Sequence, residues 1–85
     1  MPLYYFHLRD GVDHLLDPEG SMHVDSAAAM VHAITAARSL MSADVLEGHL
    51  RLDLHIDVED AAGTIVHRLP FPDAIEIVPL DELER

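Results

Sequence analysis

Residues 50–59, Leu-Arg-Leu-Asp-Leu-His-Ile-Asp-Val-Glu, alternate without a fault, with every even position apolar and every odd one polar. Successive side chains of a strand point to opposite faces, so this pattern dictates a β-strand with one buried face and one wet face. Such a strand needs neighbours to pair with and a layer to cover its apolar side. The rest of the chain must supply both.

Asp60-Ala61-Ala62-Gly63 reads as a hairpin loop, and Thr64 to Phe71 as the return strand, with Ile65, Leu69 and Phe71 on one face. Pairing Val58 with Ile65 aligns the apolar faces and sets the expected register. His67 then lies on the core face opposite Ile56, a half-buried histidine near the sheet edge. Pro70 and Pro72 end this strand or mark it as an edge. At the other end of the chain Tyr4, Phe6 and Leu8 point one way, while Leu3, Tyr5, His7 and Arg9 point the other. Asp10-Gly11 suits a two-residue hairpin turn. A second strand over Val12 to Leu16 follows, closed by Asp17-Pro18-Glu19-Gly20.

Met22 to Val24 is a brief extended stretch. Asp25 and Ser26 are both suitable helix N-caps, and Ala27 to Glu47 lacks Gly and Pro and is rich in alanine. A helix is expected there, with Gly48 as its stop. Ala27, Met30, Val31, Ile34, Ala37, Met41 and Val45 form its expected buried stripe. The order strand, strand, helix, strand, strand gives an α+β fold: an antiparallel sheet of two hairpins with one long helix on one face (ββαββ). Residues 1–78 form one domain, with a short strand or turn of helix over Ala74 to Val78, and residues 79–85 a loose acidic tail.

Charge narrows the partners. Sixteen acidic residues stand against five arginines, with no lysine, for a formal net charge of −11. That is the wrong sign for nucleic acid or for an anionic membrane surface, and the right one for a basic protein. The chain has no cysteine, which excludes disulfides and thiolate metal sites and fits a reducing cytoplasm. No apolar run approaches the ~20 residues needed to span a bilayer. The N-terminus has no signal-peptide pattern.

Catalytic signals are missing. None of Ser21, Ser26, Ser39 and Ser42 lies in a G-x-S-x-G elbow, and the four glycines are isolated, so no phosphate loop exists. No enzyme and no cofactor are expected. Seven histidines invite a metal reading. A two-residue turn at Asp10-Gly11 would set His7 directly opposite His14, with β-carbons about 4.5–5.5 Å apart, which makes this pair the candidate metal ligands. The same register gathers Leu3, Tyr5, His7, Val12, His14 and Leu16 on the outer face of the first hairpin. That face is more apolar than one open to solvent should be, which points to an interaction face for a second copy or another protein. The alternative is that Ile75, Ile77 and Val78 fold over it within the chain.

The opening Met1-Pro2-Leu3-Tyr4-Tyr5-Phe6-His7-Leu8-Arg9-Asp10-Gly11 resembles an uncharacterised family of short, mostly alphaproteobacterial proteins that begin M-P-x-Y-[FY]-F-H-x-R-D-G. The likeness continues through Asp17-Pro18-Glu19-Gly20, Asp25, Ala36-Ala37-Arg38, Val58-x-Asp60-x-x-Gly63 and Pro70-Phe71-Pro72-Asp73. It implies a bacterial domain of unknown function and no activity. A second, topological likeness is to HicB-type antitoxins, which place a hairpin before an alanine-rich helix; it implies an acidic partner for a basic protein.

Overall fold

The structure is a computed structural model and describes residues 1–83. Strands β1 (Leu3–Arg9), β2 (His14–Leu15) and β3 (Ser21–Met22) precede helix α1 (Ser26–Leu46), and β4 (His55–Asp60) and β5 (Ile65–Pro70) follow it. A 3-10 turn (Phe71–Ala74) and a one-turn helix, α2 (Leu80–Leu83), complete the described chain. The sheet is antiparallel, ordered β2-β1-β4-β5, with β3 also paired to β1. One helix on one face of an antiparallel sheet is the α+β arrangement expected from the sequence. Short β3 is an addition to it. The acidic tail expected over 79–85 contains α2, and its last two residues lie outside the described ones.

Both hairpins pair two residues away from the expected register. In the first, Leu8 faces Leu15 and Arg9 faces His14, so the loop is Asp10–Asp13 and not a two-residue turn. The Asp10 carboxylate closes it by accepting the amides of Val12 (2.9 Å) and Asp13 (2.7 Å). Those amides, Asp13 first, together with Arg51, hold the Asp10 carboxyl at about 2. In the second hairpin Val58 faces His67 and Ile56 faces Leu69, with a bulge between Val58 and Glu59. Asp60 Oδ1 accepts the amides of Ala62 and Thr64, both at 2.9 Å. Aspartate side chains that bond forward along the backbone favour these wider loops. A shift of two leaves the side chains of β2 and of residues 67–69 on their expected faces, but the bulge sets Ile65, expected on the core face, opposite Glu59 on the outer face, where it is 42% exposed.

The core lies between α1 and the even-numbered face of β1 and β4. Ala29, Ala33, Ala37 and Met41 fall one turn apart and are buried against Tyr4, Ile56, Val58, Leu69, Phe71 and Ala74. Alanines let the helix sit close to the sheet, so the larger side chains come mainly from the strands, each worth ~1.5–3 kcal/mol on leaving water. The expected stripe was rotated: Met30 and Ile34 flank the core, whereas Ala27, Val31 and Val45 are exposed. The cause is that α1 is apolar nearly all round, so spacing alone does not fix its phase. His67 is half-buried on the core side of edge strand β5, its Nε2 donating to the Ser26 carbonyl at 2.9 Å.

Two further differences shape the surface. The alternating pattern begins at Leu50, but β4 starts at His55, where both neighbours stop: Arg9 and Pro70 are its partners there. The chain after β5 turns under the helix. Phe71 donates its amide to Leu54 O (2.9 Å) and is fully buried, and Arg38 Nε donates to Ala74 O (2.7 Å). The C-terminal segment therefore packs on the helix side, and no strand or helix forms over Ala74 to Val78 beyond the end of the 3-10 turn.

Candidate interaction surface

The outer sheet face is polar. Its centre is Asp57, 2% exposed. Arg68 donates to it through Nε (2.9 Å) and Nη2 (3.4 Å), Arg9 Nε lies 3.0 Å away, and His55 Nε2 lies 3.6 Å away. Burial pushes the Asp57 carboxyl up, but the hydrogen bond and charge of Arg68, with His55 and Arg9, outweigh it and hold the group below the ordinary carboxylate range. The apolar outer patch expected for the first hairpin is replaced at its centre by this ion cluster.

Next to it His7 is 7% exposed. Its Nδ1 accepts the Asp17 amide (3.1 Å), so the proton sits on Nε2, which donates to Glu59 Oε1 (2.8 Å). One backbone amide thus fixes the tautomer. Asp17 completes the tie. Its Oδ2 accepts the Phe6 amide (3.2 Å), and its Oδ1 accepts those of Gly20 (3.0 Å) and Glu19 (3.3 Å). Burial raises the Asp17 carboxyl, yet these amides and His7 bring it below its usual value. Gly20 lies so close to β1 that a β-carbon there would sit 2.6 Å from Tyr4 O, and its φ of +68° is one that side chains disfavour. Together these contacts hold residues 16–20 along β1 between the stretches that pair with β2 and β3.

The consequence appears on the other side of the sheet. Leu16 follows the last residue of β2 and turns toward the helix. With Leu15 and Pro18 it forms one wall of an open groove; Ala36 and Leu40 of α1 form the other, and Phe6, Leu8 and Ile56 the floor. Its volume is about 410 Å³. Asp17 is the one charged residue lining it. Leu15 and Leu16, 69% and 57% exposed, are left uncovered by anything in the described chain.

The residues singled out from the sequence are therefore dispersed. His14 is exposed and faces Arg9, whose Nη1 donates to its Nδ1 at 3.4 Å, and not His7. Both His7 nitrogens are already engaged. Among the described residues no three His, Cys, Asp or Glu are grouped to hold a metal ion. Of the expected interaction face, Leu3 pairs with Met22, Tyr5 stacks on His7 (centroids 6.3 Å), Val12 is in the loop and Leu16 belongs to the groove. A pair that sequence reasoning missed is His23 and His32, whose ring centroids lie 4.8 Å apart beside Phe6. No strand or helix spacing links them, because one precedes α1 and the other lies within it.

A pinned loop, a polar sheet face and an apolar groove between the first hairpin and the helix define a small sheet-and-helix domain. The chain belongs to the DUF6894 family, a domain of unknown function, whose model matches residues 3–72. No curated protein and no solved structure matches it. No helix among the described residues is long and apolar enough to cross a membrane.

Proposed function

We propose that the chain is a small, non-enzymatic interaction module of the cytoplasm that holds an apolar, basic segment of another protein in the groove between the first hairpin and α1. The observation that carries this reading is the groove itself: an open recess of about 410 Å³ with apolar walls from two elements. Its hairpin wall is held in place by His7 and Asp17, so little ordering is left to offset on binding. Charge selects the partner. The chain carries −11, Asp17 lines the groove, and the exposed Asp13 and Glu19 flank its leucines in sequence, which favours a cationic segment. An acidic antitoxin-type role is one form of this reading, in which the partner is a basic toxin.

The test uses a labelled amphipathic peptide of leucine and lysine, and its leucine–glutamate counterpart. The basic peptide is expected to bind saturably and the acidic one not. Leu40→Glu, on the helix wall, is expected to weaken binding about tenfold or more by placing a charge in the apolar wall. Equal binding of the two peptides, or by wild type and variant, would refute the assignment.

A further inference from the structure

Residues 50–54 are where pattern and structure part furthest. Leu50-Arg51-Leu52-Asp53-Leu54 alternates as a half-buried strand does, yet β4 begins only at His55. Leu54 O accepts the Phe71 amide. Residues 50–53 make no backbone–backbone hydrogen bond among the described residues. Leu50 and Leu52, which the alternation marks for burial, are 40% and 38% exposed. Val45 and Leu46 at the end of α1 are exposed beside them, and two shallow recesses of about 400 and 330 Å³ both border Val45 and Leu50. Residues 50–53 thus carry a strand pattern but form no strand, with a bend at Asp53, and Leu50, Leu52 and the end of α1 are left without a neighbour while Leu54 packs on the core.

The sequence of the segment says which neighbour fits. Leu-Arg-Leu-Asp-Leu is its own antiparallel complement. About a two-fold axis at Leu52, Leu50 meets the partner's Leu54, Leu52 meets its own copy, and Arg51 meets the partner's Asp53, twice over. Directly opposite residues of antiparallel strands have β-carbons about 4.5–5.5 Å apart, so both ion pairs form and all the leucines share one face. Within one chain Arg51 reaches Asp53 (2.8 Å) and Asp10 (3.3 Å), contacts that the pairing exchanges for the partner's Asp53. The segment is also electrically balanced, with one cation and one anion, on a chain of −11. Two copies that repel elsewhere can approach here.

We infer that the chain forms a two-fold dimer by antiparallel pairing of residues 50–54 about Leu52, with the exposed end of α1 packed against the paired strands. The pairing uses neither wall of the groove, so the dimer presents two grooves.

Sedimentation equilibrium of the tag-free full chain across a wide concentration range tests this. Wild type is expected to be a dimer. Leu52→Glu sets two like charges face to face at the axis and is expected to give a monomer. Arg51→Asp and Asp53→Arg alone each oppose like charges in both pairs, weakening dimerisation about tenfold or more. The double reversal Arg51→Asp, Asp53→Arg restores the complement and is expected to recover wild-type association, although it cannot restore the contact to Asp10. These side chains lie outside the core, and circular dichroism confirms that each variant folds. A wild-type monomer at every concentration overturns the inference. So does a dimer that survives Leu52→Glu or that the double reversal fails to restore. The peptide experiment above reads the groove in monomer and dimer alike, so either assignment can fail without the other.

Discussion

Asp57→Asn removes a charge from the centre of the outer sheet face while keeping its shape. The carboxylate is 2% exposed and has Arg68, Arg9 and His55 within 3.6 Å or less. Breaking a fully buried ion pair costs about 3–5 kcal/mol. Here the cations are not equally buried: the Arg68 side chain is 65% exposed and that of Arg9 26%. Both can rehydrate in part, which lowers the expectation to about 1.5–3 kcal/mol, the worth of hydrogen bonds to a charged group. In a domain of this size that is a fall in Tm of roughly 6–24 °C. Urea unfolding followed by circular dichroism at neutral pH measures it. The pH dependence supplies a second check. The Asp57 carboxyl is held below its unfolded value, so in acid the unfolded chain takes up this proton first. Its contribution is complete above the unfolded value of about 3.9 and is lost as pH falls through the lower folded value. The gap between wild type and Asp57→Asn therefore narrows below about pH 4. A variant within about 0.5 kcal/mol of wild type at neutral pH, the usual range for a surface change, would refute the reasoning, as would a gap that does not depend on acid.

Gly20→Ala forces a β-carbon to 2.6 Å from Tyr4 O at a positive φ; a loss of about 1–3 kcal/mol is expected in thermal unfolding, and an unchanged Tm would show that the loop is not held as described. Asp17→Ala removes the acceptor for three backbone amides, so the Phe6 amide should exchange with solvent markedly faster than in wild type, which hydrogen exchange reads residue by residue. Nitrogen-15 spectra of the His7 ring at neutral pH should show Nε2 protonated and Nδ1 bare, because the Asp17 amide donates to Nδ1; the opposite tautomer would remove one of the loop's two ties to β1, leaving the Asp17–Phe6 bond. Ala33→Leu overfills a fully buried contact between α1 and the sheet and should cost about 1–3 kcal/mol, measured by urea midpoint.

Much of the fold was legible in the sequence because period-2 and helical runs are local signals: Tyr4 to Leu8, residues 55–58 and the alanine-rich helix all fall where their patterns place them. Register was not. Asp10 and Asp60 use their side chains to close wider loops, and no hydrophobic pattern reports that choice, since a slip of two preserves every face. The helix phase was hidden because Val31 and Val45 are as apolar as the residues that α1 buries. The groove was missed for one reason. Strand parity sends Leu16 outward with His14, but β2 ends at Leu15, and the ties from Asp17 to His7 and Phe6 turn the chain across the edge of β1.

The claim that this groove is the docking surface is tested most directly by amide chemical-shift mapping with the basic leucine–lysine peptide. Shifts concentrated at Leu15, Leu16, Ala36 and Leu40, saturating together and absent with the acidic peptide, are the predicted result. Shifts confined to the acidic loops, or spread evenly over the chain without saturation, would contradict it.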